Sequence, residues 1–143
     1  METLLFDRYI ILLLKAVLFL AKHKDDQKYY KVKEISESLG VSKSYMARII
    51  QSLVHNKILE SSTGPTGGFY LPTDNLKLTL HDVIKHTGYD IEIEKCLMEW
   101  PECNEVNPCP LHNTWKRFRE SLLKDLKQYT IEEACEQLYD RIV

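Results

Sequence analysis

Cys96, Cys103, Cys109 and His112 follow one another at Cys-x6-Cys-x5-Cys-x2-His spacing. Pro101, Pro108 and Pro110 interrupt the segment and make it a loop rather than a helix. Thiolates repel one another and are costly to gather unless a cation balances them, so three thiols and an imidazole in one loop point to a metal or a metal–sulfur cluster. The neighbours are Glu99, Glu102, Asn104 and Glu105, whereas cysteines serving only as packing sit on apolar elements. Spacing alone leaves the metal open. A Cys3His set suits structural zinc, and an iron–sulfur cluster uses the same thiolates with a fourth ligand that need not be cysteine. Cys135 stands apart on the last helix and reads as core. Four cysteines are too few for a disulfide scaffold.

The elements around this loop come from a chain of 143 residues, 44% hydrophobic and 28% charged, enough for one domain or a small domain plus an extra element. Its net charge of −2 conceals two opposed regions. Residues 28–57 carry six cations against Glu34 and Glu37, a net of +4, while residues 90–110 carry six acids against Lys95, a net of −5. Tyr9 to Ala21 is strongly apolar but only thirteen residues long, with Lys15 at its centre. That falls short of the ~20 residues of a membrane-spanning helix, and the stretch lacks the flanks of a signal peptide. It reads as a buried helix of a cytoplasmic protein with no membrane partner.

Lys33 to Leu39 reads as a short helix ended by Gly40, and Ser42 is a good N-cap for a second helix reaching Leu53. Tyr29 to Val32, ahead of them, suits a short extended segment. Two short helices around a tight glycine turn form the helix-turn-helix pattern. Ile58 to Ser62 and Gly68 to Leu71 are strand-like runs on either side of Thr63-Gly64-Pro65-Thr66-Gly67, a hairpin in the position of a wing. The second helix would enter the DNA major groove. Ser42, Ser44 and Tyr45 could donate to phosphates, and Lys43, Arg48 and Gln51 reach base edges or backbone. Lys33 and the wing residues Thr63, Gly64 and Thr66 complete the expected DNA-facing set. The bland alternative is that these are the solvated face of a small helix.

Thr79 with Asp82 caps a further helix closed by Gly88. Trp115, Phe118, Leu122, Leu126 and Tyr129 then form one apolar stripe along a long helix, before Thr130 opens the last helix with Glu133 in the capping-box position. The stripe either dimerises the protein or packs on the first helix. Dimerisation is the reading adopted, because helix-turn-helix proteins commonly bind two half-sites.

Four motifs in order carry a resemblance: Val41-Ser42-Lys43-Ser44-Tyr45-Met46, Gly64-Pro65-Thr66-Gly67-Gly68-Phe69-Tyr70-Leu71, Leu78-Thr79-Leu80-His81-Asp82-Val83-Ile84, and the three-cysteine loop ending Cys109-Pro110-Leu111-His112. From about Arg8 to Thr130 the chain resembles the bacterial winged-helix regulators that bind iron–sulfur clusters. The resemblance implies that Cys96, Cys103 and Cys109 ligate a 2Fe–2S or 4Fe–4S cluster, with His112 as fourth ligand and Asp7 as the alternative. The chain departs from the family pattern in a first cysteine gap of six residues where five is common, and in Thr63 where many members have arginine.

The expected fold is mainly α with a small β wing: a winged helix-turn-helix over residues 1–89, a cluster-binding loop over 90–112, and a dimerisation helix with a last helix over 113–143. The expected function is a homodimeric transcription regulator whose affinity for a pseudo-palindromic double-stranded DNA operator follows an iron–sulfur cluster. The competing reading is a DNA-binding protein with structural zinc in the same ligands. No arrangement of residues rises to an enzyme site.

Overall fold

The computed structural model describes residues 8–88 and 96–143. Helix α1 (Arg8–Lys22) is the axis of the fold, with Ile10, Leu12, Leu13 and every residue from Ala16 to Ala21 buried. A helix apolar nearly all round must be covered on every side, and α1 is packed by α2 (Val32–Leu39), α3 (Lys43–His55), α4 (Leu80–His86) and α6 (Ile131–Leu138). Arg8 at its start and Lys15 in its middle are its exposed residues. No helix among the described residues is long and apolar enough to cross a membrane.

The helix-turn-helix forms as its residues dictate. Gly40 takes the left-handed conformation at φ 69°, which lets its own N–H and that of Val41 satisfy carbonyls at the end of α2. Ser42 Oγ then accepts the Tyr45 N–H at 3.2 Å and opens α3, which buries Met46, Ile49, Ile50 and Leu53. Strands β1 (Glu60–Ser62) and β2 (Gly68–Tyr70) pair antiparallel, Ser61 opposite Phe69. Tyr30 adds an isolated bridge to Phe69, with backbone bonds of 3.0 and 2.8 Å. The extended segment is therefore shorter than expected, because Val32 already begins α2. Gly67 is required in the hairpin: a Cβ there would lie 2.2 Å from Ser62 O. The observed architecture is the mainly helical winged fold with a two-stranded wing.

A short 3₁₀ turn (Thr73–Lys77) leads to α4, which Thr79 and Asp82 cap reciprocally at 3.0 Å each. The long helix α5 (His112–Gln128) runs back across α4, and Thr130 Oγ1 accepts the Glu133 N–H to open α6. The two caps, Thr79 and Thr130, pair as a β-bridge, with Leu80 N–H on Tyr129 O and Ile131 N–H on Leu78 O. The end of α5 and all of α6 are thereby stitched to the winged core, where Ile131, Ala134 and Cys135 are buried.

Candidate metal centre and nucleic-acid interface

The cysteine loop is built from turns that close on themselves. Glu99, at φ 56°, turns the chain so that its N–H reaches Cys96 O at 2.8 Å, and Cys103 N–H bonds Trp100 O. Asn104 Oδ1 accepts the N–H groups of Val106 and Asn107, both at 2.8 Å, the side-chain-to-backbone turn that brings the loop back to Cys109. His112 N–H then bonds Cys109 O at 3.1 Å and begins α5.

This path brings the sulfurs of Cys96, Cys103 and Cys109 within 4.8 Å of one another. Cys96 Sγ lies 3.5 Å from Cys109 Sγ. Cys103 Sγ accepts the Cys109 N–H at 3.3 Å and stands 3.4 Å from His112 Nδ1. His112 is thus placed against one thiol rather than inside the mutual group of three. Asp7, the alternative ligand, lies outside the described residues. Backbone N–H donation from Trp100 holds the Cys96 thiol below its ordinary pKa. At Cys103 the Cys109 N–H also pulls down, but desolvation and the neighbouring Cys109 and Cys96 thiols outweigh it and raise the value.

His112 Nε2 is buried without a hydrogen-bond partner. Glu105 Oε1 stands 3.7 Å away, beyond hydrogen-bond reach but within ion-pair range, and accepts a 2.5 Å bond from Lys116 Nζ. The hydrogen bond from Lys116, above all, holds the Glu105 carboxyl below its usual value. Three converging thiols, an adjoining imidazole and an orphaned ring nitrogen fit a thiophilic metal or cluster. From sequence Glu105 is only one of the loop's polar residues, and Lys116 carries no assignment. Their one signal is that an acid seven residues before His112 and a lysine four after it face the same ring once the loop closes. A cleft of about 380 Å³ opens there, with Trp115 and Arg119 also on its walls.

The apolar stripe of α5 is divided. Leu126 is 6% exposed and packs with Ile10 of α1 and Ile84 of α4, joined by half-buried Leu122. Phe118 is 48% exposed and stacks on Trp115 with ring centroids 5.9 Å apart. Tyr129 is half-buried at the end of the helix. The far end of the stripe is therefore packed on α1 and α4 within the chain, and Phe118 is left exposed at the near end.

Lys43, Ser44, Arg48 and Gln51 are exposed along α3, and Lys33 along α2. Ser42 is exposed while its oxygen caps the helix. Tyr45 is half-buried and leans on the core. Thr63, Gly64 and Thr66 lie exposed at the hairpin tip. Lys31, not singled out from sequence, donates to Pro65 O at 3.0 Å and straps that tip to the start of α2.

A winged helix-turn-helix with a cation-bearing second helix facing outward defines the DNA-binding class of transcription regulators. The chain belongs to the Rrf2 family, described as iron-dependent transcriptional regulators, which matches residues 7–137. It is 29% identical over 120 residues to a protein of Aquifex aeolicus (strain VF5) named as an HTH-type transcriptional regulator, covering 82% of each chain. It is 28% identical over 118 residues to the HTH-type transcriptional regulator IscR of Yersinia pseudotuberculosis serotype O:1b (strain IP 31758), over 82% of this chain and 71% of that one. Among solved structures it resembles CymR (YrzC), the global cysteine regulator of B. subtilis, with TM-score 0.76 and 18% identity over 92% of this chain and 96% of that one. It also resembles T. potens IscR, with TM-score 0.70 and 17% identity over 96% and 90%. At those identities the structural likeness establishes the fold. The relatives are transcription regulators, not enzymes.

Proposed function

We propose that this regulator is a cytoplasmic homodimer whose operator affinity is set by an iron–sulfur cluster held by Cys96, Cys103, Cys109 and His112. The observation that carries the reading is the convergence of the three loop sulfurs beside an imidazole whose Nε2 is buried and unpartnered. When bound, a cluster supplies a centre that answers to iron supply, oxidation or nitric oxide. Everything else is work for the chain's own residues. Liganding would cross-link residues 96–112 to the first turn of α5, because His112 is both a donor and the first residue of that helix. Freeing the side chains would untie the loop from α5.

Trp115 and Phe118 form the face that a second copy would cover, directly beyond His112. A change at the loop would then reach the dimer face within two helical turns, and with it the spacing of the two α3 helices on successive half-sites. Lys33, Ser42, Lys43, Ser44, Tyr45, Arg48 and Gln51 would contact one major groove and its phosphates, with Thr63, Gly64 and Thr66 beside it.

One observation favours the structural-zinc alternative. A tetrahedral ion with bonds of about 2.3 Å sets its thiolate sulfurs about 3.8 Å apart, and the sulfurs here are gathered on that scale. Anaerobic purification with iron, sulfide and zinc analysis separates the two readings. Titration of operator DNA with metal-loaded and metal-free protein tests the regulation: equal affinities would sink it.

A further inference from the structure

The three loop thiols are not equivalent. Cys103 Sγ takes the Cys109 N–H at 3.3 Å and is the sulfur set against the imidazole, with His112 Nδ1 at 3.4 Å, whereas Cys96 Sγ takes only backbone N–H groups, those of Trp100 and Met98. Cys96 and Cys109 face each other at 3.5 Å, and both are partly exposed. A disulfide of about 2.05 Å needs the two sulfurs to close by only about 1.5 Å. They sit on a proline-interrupted loop none of whose described residues belongs to the hydrophobic core, so the closure disturbs no core packing. Cys135 is buried on α6, away from all of them.

From this we infer that the metal-free chain carries a second, thiol-based state: an intramolecular Cys96–Cys109 disulfide, with Cys103 left as a thiol. The oxidant is a small-molecule disulfide of the glutathione type. One loop thiolate attacks a sulfur of the oxidant, forming a mixed disulfide and releasing one small thiol. The other loop thiolate attacks that protein sulfur, forms the Cys96–Cys109 bond and expels the second small thiol. The pair loses two electrons; the oxidant gains them, and the protons end on the two released thiols. Two of the three sulfur ligands are then unavailable, so the oxidised chain cannot take up metal until it is reduced. The inference goes beyond the proposed cluster reading and holds equally if the natural metal is zinc.

The test uses full-length protein freed of metal by chelation, treated anaerobically with oxidised glutathione, then blocked with N-ethylmaleimide and mapped by peptide mass spectrometry. With the alkylation carried out in guanidinium so that buried Cys135 also reacts, the expected result is loss of two of the four free thiols, a Cys96–Cys109 cross-link, and alkylated Cys103 and Cys135. Zinc or iron uptake should be lost in the oxidised chain and restored by dithiothreitol. Cys103→Ser should still form the bond, whereas Cys96→Ser and Cys109→Ser should not. Should the chelated wild type precipitate, Cys103→Ser gives the same reading, since it keeps the pair with one metal ligand fewer. A dominant cross-link to Cys103, a persistent mixed disulfide, or four free thiols would overturn the inference. Iron, sulfide and zinc contents of the untreated protein are read separately, so a failure of the cluster reading leaves this result standing.

Discussion

Cys103 Sγ lies 3.4 Å from His112 Nδ1, so the second thiol of the loop meets the residue that starts α5. Sequence neighbours nine positions apart become chemical neighbours because the intervening turns fold the loop back. His112→Ala should leave the fold intact, because the ring lies outside the hydrophobic core. It should weaken metal retention at least about tenfold, since a ligand is lost together with the group that aligns Cys103. Metal per chain after dialysis against graded chelator, with circular dichroism as the folding control, checks this.

Glu105 and Lys116 should act one step behind the ligands. Lys116 holds the Glu105 carboxylate, which faces His112 Nε2 at 3.7 Å. Glu105→Gln should loosen metal about tenfold, at the low end for a ligand's hydrogen-bonding or ion-pairing partner. Glu105→Asp, which keeps the charge, should restore part of it. The Glu105 pKa is lowered, so its favourable pairing is complete above the ordinary carboxylate range and disappears as pH falls through the lowered value. Glu105→Gln should therefore flatten the acid limb of metal binding. An unchanged profile would remove Glu105 from the site.

The two ends of the α5 stripe should respond oppositely to substitution. Leu126→Ala empties a buried position against Ile10 and Ile84 and should cost about 2–5 kcal/mol of stability, read by urea unfolding. Phe118→Glu alters an exposed ring and should leave stability nearly unchanged while shifting the protein toward monomer in sedimentation velocity. If Phe118→Glu remains fully dimeric, the partner face lies elsewhere.

On the flank proposed to face DNA, Arg48→Ala should cost about 1–3 kcal/mol of operator affinity if it reads a base, and relax preference at one position of each half-site. Lys43→Ala should weaken binding uniformly and reduce the salt slope by about 1 per half-site. Fluorescence anisotropy across a salt series separates them. Lys31→Met cuts the strap to Pro65 O and should weaken operator binding without moving the thermal midpoint by more than a few degrees.

Tyr30 should ionise well above the ordinary phenol range. Desolvation, followed by its hydrogen bond to Asp26, pushes its pKa up to about 12. The folded state favours the neutral phenol, so this contribution is complete below the ordinary value of 10.0 and is lost as pH rises from there toward about 12. Tyr30→Phe should cost about 0.5–1.5 kcal/mol at neutral pH and remove part of the alkaline sensitivity. Absorbance titration at 295 nm with parallel denaturation follows both.

Local chemistry was legible in the chain wherever adjacent residues settle it. Gly40 and Ser42 specify the turn and cap of the helix-turn-helix, Thr79 and Asp82 a reciprocal cap, and Thr63 to Gly67 a hairpin, each through bonds spanning a few positions. The thiol-rich loop was legible for the same reason: its donors lie close together in sequence and its prolines forbid a helix. Tertiary packing alone decided which surfaces of the long stripe are spent. Leu122 and Leu126 share their helical face with Phe118, yet only the far end of α5 crosses α1 and α4, because Tyr129 is pinned there by the Thr79–Thr130 bridge. Packing likewise gathered Glu105, His112 and Lys116, and set Lys31 against Pro65. Periodicity says that a face is apolar; which neighbour covers it depends on contacts between distant parts of the chain, and no local pattern encodes those.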